Sequence, residues 1–555
     1  MFQKLLKLSL FLLCCVLTQH SFAQLIPDST FSQDGYFINS STTDGESGSR
    51  VFELADGSTI LGGTKNGKLR VRKYDAVGNA VTTFGTAGEA SIASLDANPG
   101  YCNMIYDLEV TLDGKIWVLT ELAEMNLADF DSSKAVIVLA RFNANGSADN
   151  TFNSNGYILS RPNPNYYFHP KSMCINTKND AYEAFVGSWV YENGHASCPM
   201  GFGKWCVSKY KNDGTPDASF YNNVGYMLES ASVIKQSSTQ SPIAIPYDMK
   251  LMSDGNILVC GSMHNFDQSF FSFSITPSGQ WNTNYGNNGR CINPVTFEVP
   301  TNDLTNAQVL KDESCAFYSI LRYFGATDSS VMNVVKNNPN GTVATAFGTT
   351  GKLMTTYLSQ QYPVLIFKSN GDFLLNYYRP YGANFADQKI EFKFYKANGT
   401  QDMTFGIGGI CKTQPRNPDT YINRSTVFHG IWNKNETGLY LATNNQIPNT
   451  NSGYGIFKYK WPGLTPLQVS MVDEKSNFSL YPNPIVGQQQ FYIESEKDIQ
   501  VVSLYDAKGV KVPMQFHFIT DNKVAILPLS QLSTGIYYVL CECNSIRQMQ
   551  AVMVK

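Results

Sequence analysis

Six histidines are the first residues that could do chemistry: His20, His169, His195, His264, His429 and His517. No two stand at metal-ligand spacing, and the sequence has no H-E-x-x-H pattern to set two imidazoles on one zinc ion. It has no G-x-S-x-G either, and GYGIF (453–457) supplies no nucleophile. A histidine among aromatics needs converging partners before it reads as catalytic, so all six are expected to be structural. TDGESGS (43–49) and DFDSSK (129–134) offer oxygen ligands of the kind calcium takes. Neither has the EF-hand order, and both are expected to be solvated loops. A carboxylate pair for glycoside cleavage is defined by separation in space, so sequence cannot assign one. No catalytic residue, metal or cofactor is therefore expected.

Ten cysteines follow residue 23, at 102, 174, 198, 206, 260, 291, 315, 411, 541 and 543. No C-x-x-C occurs, which argues against a zinc ribbon. Cys198 and Cys206 flank PMGFGKW, a glycine-containing loop, and form the expected bridge. Cys541 and Cys543, two apart on one strand, face the same side and read as free thiols.

Aromatic residues carry the strongest binding signal. Tyr166, Tyr167, Trp189, Tyr191, Tyr378, Tyr381 and Phe385 sit in or beside the longest connections, 120–135, 187–204, 376–388, 443–453, 161–170 and 228–243. Tyr and Trp on loops held by a rigid scaffold are the expected form of a recognition surface. The competing reading is that they pack their own loops.

The scaffold follows from composition and repetition. The chain has 555 residues, 43% hydrophobic and only 16% charged, with 31 Tyr, 34 Phe and 43 Gly. Short aromatic and β-branched runs between turn residues make this an all-β profile. Phe31, Phe84, Phe152, Phe220, Tyr285, Phe347 and Phe405 recur at gaps of 53, 68, 68, 65, 62 and 58. A glycine lies six residues before each of the last six: Gly78, Gly146, Gly214, Gly279, Gly341 and Gly399. Another follows each aromatic by four or five, from Gly35 to Gly409. Asp28, Asp149, Asp217 and Asp402 precede by three, where a side-chain-to-backbone bond would fix the turn. Residues 48–92 read as one unit of four antiparallel strands with an Asp56-Gly57 hairpin. In such a unit the 1–2 turns leave on one face. The longer 2–3 and 4–1 connections leave on the other.

The phase of the repeat predicts closure. The last unit stops after its third strand, and DSTFSQDGYFI (28–38) is the missing remainder. Joining the two removes two sheet edges. The expectation is a seven-bladed β-propeller over residues 24–463, closed by its N-terminal strand. The phased units, "L.DG.IL..G" followed by "R.Y…G..D.TFG..G", resemble the delta-60 repeat family, with departures at Asp312-Glu313 and Tyr285.

Residues 1–23 read as a signal peptide: Lys4 and Lys7, the apolar run Leu8–Leu17, then small Ser21 and Ala23. Bulky Leu13 before Cys14 argues against a lipoprotein site. The whole-chain charge is −3, and removing this segment with its two Lys leaves −5, so no nucleic-acid partner is expected. No later apolar stretch is long enough to span a membrane.

After residue 463 the repeat ends. Residues 464–477 read as a linker, and 478–555 as a small C-terminal β-sandwich. Tyr481-Pro482-Asn483-Pro484, Asp506 to Gly509, Gly535-Ile536-Tyr537 and Lys555 resemble the type A C-terminal sorting domain of type IX secretion. The resemblance implies recognition by that machinery, delivery outside the cell, then release or surface attachment. The functional expectation is a non-enzymatic binding or adhesion propeller whose partner is a surface glycan or protein. The alternatives are a secreted polysaccharide- or protein-degrading enzyme with its site on the long-loop face, and a purely structural surface protein.

Overall fold

The computed structural model describes residues 25–39, 44–123, 135–178, 181–192, 204–235, 243–264, 269–293, 305–322, 329–358, 363–379, 389–413, 424–446, 453–461, 478–496, 498–506, 511–543 and 546–555. The expected signal peptide and linker lie outside the described residues.

Among the described residues up to 461, the strands form seven antiparallel sheets. The first is typical: Glu46–Glu53, Thr59–Lys65, Lys68–Tyr74 and the short Glu89–Ala90, paired in sequence order. The Asp56-Gly57 hairpin forms as expected, with Gly57 at φ +80 and Asp56 accepting from the Ser58 amide. The first strands of the other six are Ile105–Val110, Tyr166–Lys178, Ile243–Leu251, Thr305–Val309, Val364–Phe367 and Arg424–Trp432. The seventh sheet takes its outer strands from the start of the chain. Ile26–Pro27 and Tyr36–Asn39 both pair antiparallel with Gly453–Lys460.

Packing explains why the aromatics and glycines recur in phase. Each repeated aromatic is buried in a cluster shared by two sheets. Phe84 lies between the first and second, Phe152 between the second and third, Phe220 between the third and fourth. Tyr285, Phe347 and Phe405 continue the series. Phe31 lies with Tyr440, Tyr454 and Ile456 of the seventh sheet and Val51, Leu61 and Tyr74 of the first. The repeated glycine belongs to the neighbouring sheet and receives the ring. A Cβ at Gly78, Gly146, Gly214, Gly279, Gly341 or Gly399 would lie 2.9–3.3 Å from the aromatic, and all six have φ between +83 and +87. The amide after the aromatic donates to the carbonyl before that glycine in six seams, from Ser32 to Val77 through Gly348 to Asn398, at 2.7–2.9 Å.

The phased aspartates behave as turn residues. Asp28, Asp149, Asp217 and Asp402 each accept from the amide two residues on. Each also pairs with a cation on or just after the third strand: Lys460, Arg141, Lys209 and Lys396 at 2.7, 2.6, 2.9 and 3.0 Å.

One expectation fails. Cys206 is a free, buried thiol inside the strand Lys204–Tyr210, packed with Phe168, Val186 and Val190, so it makes no bridge. Cys198 lies outside the described residues. Cys541 is buried in the core of the C-terminal sheets; the side chain of Cys543 is outside the described set.

Residues 478–555 form two facing sheets around one core that includes Phe491, Ile493, Leu504, Val524, Tyr537, Val539 and Val552. Among the described residues no helix is long and apolar enough to cross a membrane.

Candidate functional site

The first strands of neighbouring sheets lie side by side. Register pairing picks out one equivalent position in each: Arg50, Asp107, Ser172, Asp248, Asn306, Val364 and His429. Five of these follow a β-bulge, which bends a strand and re-aims the next side chain. Two residues further on, and so on the same strand face, come Phe52, Glu109, Cys174, Lys250, Gln308, Ile366 and Ile431. Two rows of mixed polarity therefore run across all seven first strands.

These side chains fasten sheet to sheet. Asp107 accepts from the Met173 amide at 2.9 Å, and Asp248 from the Val309 amide at 2.7 Å. The Ser172 hydroxyl donates to the Pro246 carbonyl, and the Gln308 amide to the Leu365 carbonyl. The Trp432 indole donates to the Ile366 carbonyl, and the Val51 amide to His429 Nδ1.

Electrostatics shows that the rows converge. Burial raises the Asp107 carboxyl above its usual range, against the pull of Arg50 and two backbone amides. Burial, then the Asp107 charge, pushes Asp248 up to about 7. Glu109 is raised well above the carboxylate range by burial and by Asp107. Burial and then the Arg50 charge hold His429 down at about 3, so it is neutral and accepts at Nδ1. Arg50 is within electrostatic reach of Asp107, Asp248 and Tyr318, which belong to the second, fourth and fifth sheets.

At the long-connection end stands a second group. His169 Nδ1 lies 2.9 Å from Glu121, and the Tyr106 hydroxyl donates to the same carboxylate at 2.8 Å. The imidazole is stacked on Trp189 with centroids 4.5 Å apart. Glu121 is held below its usual range by these contacts despite its burial. No spacing rule could have found this pair, because Glu121 and His169 belong to different sheets.

The sequence candidates divide. Tyr166 and Tyr167 are buried at the start of the strand Tyr166–Lys178, and the Tyr166 hydroxyl accepts from Lys204. Tyr166 packs in the core between the second and third sheets, and the Tyr167 ring lies 4.3 Å from the Arg161 guanidinium. Trp189 is half-buried beside His169. Tyr191 and Tyr378 lie on the strands Ala181–Glu192 and Phe373–Arg379, their side chains outside the described set. Tyr381 and Phe385 lie outside the described residues, as does DFDSSK. Asp44 of the other acidic stretch pairs with Lys65 at 3.1 Å. Among the described residues no cluster suited to a metal ion occurs.

In the C-terminal sandwich the motif residues meet. Asn483 accepts from the Met553 amide at 2.8 Å and donates to the Ala551 carbonyl at 3.1 Å. The Lys555 amide donates to the Ile485 carbonyl at 2.9 Å. Tyr481 stacks on Tyr492, and Tyr537 is buried with its hydroxyl at Ser533. Gly535 opens the strand Gly535–Cys543; Gly509 lies outside the described residues.

Residues 479–555 match the family model of the secretion system C-terminal sorting domain. The protein is exported by type IX secretion to the cell surface or extracellular space. The sorting domain implies contact with that machinery. Residues 128–152 match a domain of unknown function (DUF5122) described as a beta-propeller. Among curated proteins none matches. Three solved structures illustrate the remote likenesses. A Dyadobacter fermentans protein of unknown function is 10% identical, covering 77% of this chain and all of its own, at TM-score 0.33. Trypanosoma rangeli sialidase in complex with sialic acid is 9% identical, covering 93% and 88%, at TM-score 0.36. Prolyl oligopeptidase B from Galerina marginata is 10% identical, covering 86% and 56%, at TM-score 0.37.

Proposed function

We propose that the exported chain is a binding protein of the cell surface or its surroundings. Its residues 24–463 are a closed seven-bladed propeller of the delta-60 kind, and residues 1–23 are its signal peptide. Closure is supported by the seam between seventh and first sheets, which carries the aromatic plug of the other six and the backbone bond of five of them. One observation carries the binding reading: Asp107, Asp248 and His429 of the first strands are tied to the backbone of the adjoining sheet. A general acid, base or nucleophile has to be free to meet a substrate proton or carbon, and these groups serve as fastenings instead. A glycan or surface protein would meet the long-connection face, around Trp189.

The enzymatic alternative rests on Glu121, His169 and Tyr106, with Trp189 covering the imidazole face. Screening the full exported protein against glycan and surface-protein arrays separates the two. Binding without turnover, weakened at least tenfold by Trp189→Ala, is expected. Turnover of any bound glycan or peptide, abolished by His169→Ala, would replace this reading with the catalytic one.

A further inference from the structure

The opposite end of the first strands holds a cavity of about 390 Å³. Five sheets contribute to it. Its residues stand just before the short 1–2 turns, on the face away from the long connections. The volume is that of a small-molecule site.

Its charge is lopsided. Four lysines line it, Lys250, Lys311, Lys368 and Lys434, against two carboxylates, Glu53 and Asp248. Both carboxylates are engaged. Glu53 accepts from the Lys434 amide at 2.7 Å and from the Tyr440 hydroxyl at 3.4 Å. Asp248 accepts from the Met249 and Val309 amides. Lys311 lies 3.7 Å from Glu436, and Lys368 is within electrostatic reach of Glu436 and Asp372, as Lys250 is of Asp248. Among the described residues no carboxylate lies within ion-pairing distance of the ammonium groups of Lys250, Lys368 or Lys434. Lys250 donates to the Leu310 carbonyl at the cavity wall. Lys368 stands 4.4 Å from the ring centre of Trp432, a contact that fixes its position without cancelling its charge. Phe52, Leu365, Ile366 and Trp432 give the same cavity apolar walls.

Four ammonium groups against two hydrogen-bonded carboxylates in one concave wall leave an excess of positive potential in the space between them. The apolar walls reward a ligand with a hydrocarbon body. We propose that this cavity binds a small organic anion, a carboxylate or phosphate ester carrying an apolar or ring-shaped body. The site lies apart from the long-connection face and stands or falls separately from the binding reading given to Trp189.

Calorimetric titration of the full-length protein with benzoate, phenyl phosphate and inorganic phosphate, with benzyl alcohol as the neutral control, tests it. Benzoate or phenyl phosphate should bind at least tenfold more tightly than benzyl alcohol, and the preference should shrink as salt is added. Inorganic phosphate alone should bind more weakly than phenyl phosphate, since it lacks the apolar body. Lys250→Met and Lys368→Met should each weaken the anion tenfold or more. Should either fail to fold, the double variant of Lys311→Met and Lys434→Met, both at the rim, should still weaken binding severalfold. Equal affinity for benzyl alcohol and benzoate, no heat with either anion at millimolar concentration, or unchanged affinity in the folded lysine variants would overturn the proposal.

Discussion

Tyr36 stands opposite Phe457 across an antiparallel strand pair, with ring centroids 4.9 Å apart and planes at 89°. The start of the chain thus completes the sheet formed by its last repeat. Phe31, five residues earlier, meets Tyr440 of the same sheet edge-on at 6.2 Å, in the seam with the first sheet.

That seam gives the first prediction. Phe31 is fully buried, and Phe31→Ala should destabilise the protein by about 3–5 kcal/mol, the usual cost of emptying a phenylalanine site. The loss should be local. Hydrogen exchange should speed up at the amides of Tyr36–Asn39 and Gly453–Lys460 before it does so in the third or fourth sheet. Unchanged exchange at those strands would show that the N-terminal segment is not what holds the seventh sheet.

Two glycines of nearly equal conformation separate backbone strain from seam packing. Gly146 has φ +83, and a Cβ there would come within 2.6 Å of the Gly85 amide nitrogen and 3.0 Å of the Phe84 ring. Gly255 has φ +82 and nothing within 4 Å of such a Cβ. Gly255→Ala should cost about 1 kcal/mol, from the left-handed backbone alone. Gly146→Ala should cost roughly 2 kcal/mol more, because backbone cannot step aside as a flexible side chain can. Thermal melts of both variants decide it; equal losses would remove the glycine from the seam argument.

The phased aromatics and glycines were legible because one physical job, plugging a seam, demands one residue type at one spacing. The two rows on the first strands were not. Arg50, Asp107, Ser172, Asp248, Asn306, Val364 and His429 share a register position and no chemistry, and bulges shift five of them by a residue. The Cys198–Cys206 pairing misled for a related reason. Closeness in sequence says nothing about which strand carries the thiol, and Cys206 sits in the middle of one. The lysines at 250, 311, 368 and 434 converge only because four separate sheets deliver them to one cavity.

The acids of those rows make stability depend on pH. Asp248 has a folded pKa of about 7, against about 3.9 for an unperturbed aspartate. The folded state therefore holds a proton that the unfolded chain gives up. Its contribution is complete below about pH 4 and is lost as pH rises through 7. Asp107 and Glu109 are shifted the same way. Melting temperature should fall between pH 5 and pH 8, by up to about 1.4 kcal/mol of stability per pH unit for each such proton. Arg50 and Lys250 also face this group. His429, held at about 3, adds nothing to the slope. Asp248→Asn should flatten the profile; an identical slope in that variant would move the titration elsewhere.

The sorting domain offers a test that separates delivery from folding. Asn483 ties the start of the domain to its last strand through the Met553 amide and Ala551 carbonyl, and Lys555 closes beside it on Ile485. Two regions of the motif are thus one local structure. Deleting residues 478–555 should leave the protein in the periplasm with its seven sheets intact, since their core clusters contain no residue of the tail. Asn483→Ala leaves the sandwich core untouched and removes the tie, so it should lower the exported fraction severalfold while the intracellular protein stays folded. Fractionation of cells carrying each variant, with circular dichroism of the retained protein, reads both effects. Export of the deletion variant at the wild-type level would mean that the machinery reads some other part of the chain. Normal export of Asn483→Ala would confine the signal to features that survive loss of the tie.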